Sequence, residues 1–202
     1  MKRLLTAFCL LLSAVLAPAL ATADVTENLP GGHDRSETNT AGQQVDDRRL
    51  LDSFGAASVS LTEAMSTAER LHSGSRTIQI RFDNSGVREY RVRTLKDDRL
   101  WENAIDANTG KQSREEKSLL LDQLGDEERN NIAALKFVRQ QLADAVAVAE
   151  KATSGKALGG GLMQDGGKLN FVVVVVSENR LKQVMLEPPS VVRSGKESRR
   201  SP

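Results

Sequence analysis

Ser60-Leu61-Thr62-Glu63-Ala64-Met65-Ser66-Thr67-Ala68-Glu69-Arg70-Leu71 opens the stretch Ser60 to Lys111, whose reading decides the fold. Ser60 can accept from the backbone N–H three residues on, and Glu63 can reach back to the N–H of Ser60. Apolar residues then fall at Leu61, Ala64, Met65, Ala68 and Leu71, the spacing of a helix with one buried stripe. Ser73-Gly74 supplies the stop. From Arg76 the period changes to two. Ile78, Ile80 and Phe82 alternate with Thr77, Gln79 and Arg81, which is a half-buried strand. Asp83-Asn84-Ser85-Gly86 turns the chain into a second strand, Val87 to Leu95, with Tyr90 and Val92 facing inward. Lys96-Asp97-Asp98 turns it into a third, Arg99 to Asp106, with Trp101 and Ile105 on one face. Arg81, Arg91, Arg93 and Glu102 fall on the other face. One face should carry the helix; the other should meet water or a partner. The arginines are a solvated face or a docking patch. As a patch, Arg81, Arg91 and Arg93, with Trp101, are the candidate partner-binding residues.

Shifted by 81 positions, the chain matches itself. Leu142, Ala145, Ala149, Glu150, Ser154 and Gly155 fall on Leu61, Ala64, Ala68, Glu69, Ser73 and Gly74. Strands are expected over Lys156 to Asp165, Leu169 to Ser177 and Leu181 to Glu187. An internal repeat takes precedence over single motifs, and this one implies two αβββ units. Gln141 replaces the serine cap, so the second helix can run on from the preceding segment. Val172 to Val176 is an unbroken apolar run and reads as a central strand. A helix would cover one side of it, and the other repeat or a second subunit the other. Gly159-Gly160-Gly161 reads as a flexible turn, in the wrong context for a phosphate loop.

These residues resemble the PepSY domain, whose last strand finishes in a V-x-V-D-A-x-T-G-like signature. Here the counterpart is Asn103-Ala104-Ile105-Asp106-Ala107-Asn108-Thr109-Gly110, with Ala64, Ala68 and Gly74 upstream. Asn103 departs from the usual apolar residue, and the second copy lacks the D-A-x-T-G ending. The resemblance implies an α+β fold of two αβββ PepSY-like units, each a helix plus a three-stranded antiparallel sheet, with connecting helices. It also implies peptidase regulation, since such domains occur in metallopeptidase propeptides and as free-standing exported proteins. It carries no catalytic residues.

Met1-Lys2-Arg3, the apolar Leu4 to Leu20 and Ala21-Thr22-Ala23 compose a secretory signal peptide over 1–23. Export to a bacterial periplasm, with no membrane span after cleavage, is the expectation. The one cysteine, Cys9, lies in the signal, which excludes disulfides and thiol chemistry in the mature chain. Removing Lys2 and Arg3 takes the formal charge from +1 to about −1, which argues against nucleic-acid binding.

Residues 24–48 read as a disordered linker, 49–112 as the first unit, 113–140 as a helical connector, 141–190 as the second unit and 191–202 as a disordered basic tail. Within the connector, Ser113 to Gly125 reads as a helix with a Ser113/Glu116 capping box. Asp126 to Gln140 reads as another, and its leucines serve as core or as a dimer seam. His72 reads as a partner for the helix dipole, Glu63 as a cap and Asp106 as a turn residue. No catalytic, cofactor or metal site is expected.

The function read from this is a non-enzymatic binding module that regulates or inhibits a peptidase or another envelope protein through sheet-edge contacts. The candidate edges are Arg76 to Phe82 or Arg99 to Asp106. Alternatives are a module that senses a small ligand or signal, or a structural homodimer.

Overall fold

The computed structural model describes residues 47–189. The segments expected to be a signal peptide (1–23) and a basic tail (191–202), and almost all of the expected 24–48 linker, lie outside these residues. Residues 47–55 form helix α1. The elements after it are α2 (Leu61–Leu71), β1 (Arg76–Asp83), β2 (Glu89–Lys96), β3 (Arg99–Asp106) and β4 (Lys117–Leu120). A short 3-10 turn (Leu121–Gln123) leads to α3 (Asp126–Leu135), α4 (Leu142–Thr153), β5 (Lys156–Asp165), β6 (Lys168–Ser177) and β7 (Arg180–Leu186). The fold is α+β. Its strands form one antiparallel seven-stranded sheet in the order β4-β3-β2-β1-β5-β6-β7.

Helix α2 starts as its sequence dictates. The Glu63 N–H donates to Ser60 Oγ at 3.2 Å, and the Ser60 N–H donates to Glu63 Oε2 at 2.7 Å. Leu61, Ala64, Met65 and Ala68 are buried, while Leu71 emerges at the helix end. Helix α4 buries Leu142, Ala145, Val146 and Ala149. Each large apolar side chain fully buried this way contributes about 1.5–3 kcal/mol.

The Asp106–Gly110 turn shows why its residues have these identities. Asp106 Oδ1 accepts from the N–H groups of Asn108 (2.9 Å) and Thr109 (2.7 Å). These bonds to Thr109 and Asn108 hold the Asp106 carboxyl below its usual value. The Ala107 carbonyl accepts from Ser58 N–H (3.0 Å) and Val59 N–H (2.9 Å). Gly110 takes φ +69, with Val59 packed over it. Tyr90 Oη donates to the Val59 carbonyl at 2.7 Å. Burial, with Glu63 and Glu150 nearby, pushes the Tyr90 phenol up to about 12. The signature turn therefore ties the lead into α2 to the end of β3.

The same device fixes both helix-to-strand joints. Glu69 Oε1 accepts from Thr77 N–H at 2.8 Å, and Glu150 Oε1 accepts from Ala157 N–H at 2.8 Å. Each joint is followed by a one-residue bulge, between Thr77 and Gln79 and between Ala157 and Gly159.

Several sequence expectations change. Gly159-Gly160-Gly161 is no turn; it lies inside β5, paired with Arg81, Ile80 and Gln79 of β1. A Cβ on Gly159 would come 3.0 Å from the Ile80 carbonyl oxygen, and one on Gly160 would come 3.4 Å from Leu142 Cδ1. Glycine here lets β5 close on β1 while α4 lies against it.

Ser113 to Gly125 is not a helix. Ser113 Oγ donates to Glu89 (2.9 Å) and to the Ala104 carbonyl (3.2 Å), and Lys117–Leu120 pairs with β3 as β4. The apolar leucines here serve a strand and a 3-10 turn, so a helical connector over all of 113–140 is corrected. Helices α3 and α4 are also separate rather than fused. Arg76, at the start of β1, donates to the carbonyls of Val138 (3.0 Å) and Gln140 (2.9 Å) and to Gln141 Oε1 (3.0 Å). It holds the intervening loop in place.

The face away from α2 is not simply open. Alternation puts Arg91 and Arg93 opposite Tyr90 and Val92. Arg93 pairs with Glu128 of α3, so α3 covers part of that face.

Candidate functional site

The two proposed edges are interior strands. β1 is flanked by β2 and β5, and β3 by β2 and β4. Sheet-edge contact through Arg76 to Phe82 or Arg99 to Asp106 is therefore corrected. Both strands are paired on both sides, β1 with β5 over Gln79–Arg81 and β3 with β4 over Arg99–Glu102.

Among the described residues, the long free edge is β7. Glu178 and Asn179 take φ +53 and +58, a two-residue hairpin turn of the I′ kind. In such a hairpin the flanking pair, Ser177 and Arg180, exchanges hydrogen bonds, and every second pair beyond it does the same. Lys182, Val184 and Leu186 therefore aim their backbone groups at β6. Leu181, Gln183 and Met185 aim theirs away from the sheet.

Side chains divide by face. Leu181, Gln183 and Met185 share the face of Val172, while Lys182, Val184 and Leu186 share the face of Val173 and Val175. Leu181 is 40% exposed and Met185 37%, large values for apolar side chains. Lys182 Nζ lies 3.1 Å from Ser177 Oγ and 3.4 Å from Glu178 Oε2. The valine run sits beside this edge in β6. Val173 and Val175 are fully buried, and Val174 and Val176 partly so.

At the far end of β7 a groove of about 620 Å³ is lined by Phe137, Val138, Leu169, Pro188 and Pro189, together with the charged Lys136 and Arg139. Phe137 is 70% exposed. Lys168 and Glu187, also in its lining, pair at 3.0 Å.

The residues singled out from sequence go to different places. Trp101 is on the helix-bearing face, away from the three arginines. Its ring stacks on His72 with centroids 3.7 Å apart, and His72 Nε2 lies 2.8 Å from Glu116. These side chains line a cleft of about 750 Å³ beside β3. So His72 partners Trp101 and Glu116 as well as capping α2.

Arg91 lies 2.7 Å from Asp83, 3.3 Å from Glu89 and 3.7 Å from Glu102. Glu89 is 1% exposed and also meets Arg114 at 3.1 Å. Burial works against ionisation of Asp83, but its bonds from Ser85 and Arg91 outweigh burial and hold its carboxyl below the usual value. Arg81 stands across from Arg91 and from Gly159. Arg91 and Arg93 are thus half-buried and committed to carboxylates, as in a structural network, while Arg81 has no carboxylate partner among the described residues. Among the described residues no cluster of three or more His, Cys, Asp or Glu could hold a metal ion.

Sequence reasoning missed Leu181, Gln183, Met185 and Phe137. A signal was present: Pro188-Pro189 cannot donate to a ladder and marks the end of the sheet beside β7.

Residues 58–116 match the family model described as "Peptidase propeptide and YPEB domain", PepSY. The match spans α2 to the lead into β4, and the elements from α3 to β7 lie beyond it. A solved protein from Clostridium difficile 630, described as a candidate lipoprotein, is 18% identical. The alignment covers 64% of this chain and 94% of that one, with a TM-score of 0.36. Among curated proteins, none matches the chain.

Proposed function

We propose that this chain, which carries a PepSY domain at residues 58–116, is an exported binding module that restrains a peptidase or another envelope protein by pairing with an extended segment of it along β7. The observation that carries the reading is the free edge itself. Leu181, Gln183 and Met185 present three sets of outward backbone groups beside exposed apolar side chains. Export rests on the sequence of residues 1–23. No helix among the described residues is long and apolar enough to cross a membrane.

In this reading the α2-to-β3 half and the α4-to-β7 half are two copies of one unit joined at β1 and β5. The first copy spends its outer strand on β4 and the second leaves its outer strand free. The glutamate-to-strand bonds of Glu69 and Glu150 support the duplication.

The test is direct. Residues 24–202 are added to metallopeptidases from the same envelope, and cleavage of a general substrate is followed. The reading expects at least one enzyme to be slowed and retained on the immobilised protein, with about ten-fold weaker retention by Gln183→Pro. If no enzyme is slowed or retained, the reading fails.

A further inference from the structure

The chemistry of β7 also specifies the segment it takes, and this inference rests on the edge-pairing reading above. We infer that β7 receives an extended polypeptide segment running antiparallel to it, with an apolar N-terminal half and two acidic residues, two apart, in its C-terminal half. A strand laid antiparallel on β7 puts its N-terminal half beside Val184, Met185 and Leu186, and its C-terminal half beside Arg180 and Lys182. Val184 and Leu186 are half-buried on one face, and Met185 is exposed on the other. An added strand at that end meets apolar surface on both of its faces. Beyond it lies the groove lined by Phe137, Leu169 and Pro188, together with the charged Lys168 and Glu187.

Arg180 and Lys182 stand on one face, so they meet alternate residues of the incoming strand. Lys182 already turns toward the carboxylate of Glu178, which is largely exposed and can yield to a partner carboxylate. Cross-strand pairs of opposite charge stabilise a ladder, whereas like charges oppose it. Between the cations, Leu181 faces the opposite side and takes an apolar residue. Apolar residues on an edge invite pairing. The two cations decide what pairs: an antiparallel second copy of β7 centred on Gln183 would set Arg180 against Leu186 and Lys182 against Val184 and leave both cations without a carboxylate, whereas an acidic strand pairs both.

The probes are two capped heptapeptides, Ile-Val-Val-Thr-Glu-Val-Glu and its counterpart with lysine at both glutamates. Binding to residues 24–202 is read by calorimetry at low and at physiological salt. The inference expects the acidic peptide to bind at least ten-fold more tightly than the basic one, with a smaller ratio at higher salt. Arg180→Glu/Lys182→Glu should reverse the preference, and Gln183→Pro should abolish binding of both peptides. Gln183 aims its N–H outward, so proline there removes no bond to β6. A circular dichroism spectrum checks that the variants fold. Equal binding of the two peptides, lost in Gln183→Pro, would overturn the acidic specificity and leave edge pairing standing. No binding of either peptide, or binding untouched by Gln183→Pro, would overturn both, as would a chain found to self-associate through β7.

Discussion

Gly155 illustrates how little room some residues have. A Cβ there would lie 2.4 Å from the Val176 carbonyl oxygen and 2.6 Å from Val175 Cγ1. Neither the backbone nor a fully buried valine can move aside cheaply. Gly155→Ala should destabilise the fold by about 1–3 kcal/mol, the range for overpacking. Gly55, with nothing within 4 Å of its missing Cβ, should tolerate alanine within about 0.5 kcal/mol. Urea titration of both variants checks this contrast.

Asp83 makes a prediction about acid. Its carboxyl is held below the usual value, so its bonds from Ser85 and Arg91 contribute stability above the unfolded aspartate pKa of about 3.9. That contribution is lost as pH falls through the lower folded value. The stability gap between the natural chain and Asp83→Asn should therefore be present at pH 7 and narrow below about pH 4. Chemical denaturation at several pH values reads it, and a gap that widens in acid would contradict the assignment.

At the scale of elements, the paired joints are the informative feature. Glu69 and Glu150 each accept from the backbone N–H of the second residue of a strand, Thr77 in β1 and Ala157 in β5. Removing the carboxylate leaves that donor unsatisfied, at a cost of about 1–3 kcal/mol. Glu69→Ala and Glu150→Ala should both be destabilising in this range, each measured by its own denaturation midpoint. A large cost at one site and none at the other would argue against equivalent joints.

The elements also show what could be read in the chain before its structure. The capping box of α2, the alternation of β1 and the Asp106 turn rest on contacts within a few residues, so local spacing reveals them. β4 was hidden because three successive leucines fit a buried helix as well as a strand, and pairing with β3 decided the matter. The glycines of β5 read as a turn because their reason lies far away in sequence, in Ile80 and Leu142. The edge was misplaced for the same cause. Which strand lies outermost depends on β1 meeting β5, a contact between halves that local patterning does not encode. The arginines of β2 were legible as one face, but not their neutralisation by Asp83, Glu89 and Glu128.

For the whole molecule, the β1–β5 ladder makes one sheet out of two sets of strands and leaves the sheet with unequal ends. One end closes on the short β4, tied down by the 3-10 turn after it; the other is the seven-residue β7. A long open edge of this kind is suited to pairing with an extended segment, as proposed above. The measurement that tests this most directly is residue-resolved amide hydrogen exchange along β7 in residues 24–202. The account predicts alternation: Lys182, Val184 and Leu186 are protected by β6, while Leu181, Gln183 and Met185 exchange freely until a partner segment is added and then slow together. Uniform protection of all six amides in the free chain would show that the edge is already covered, and would contradict it.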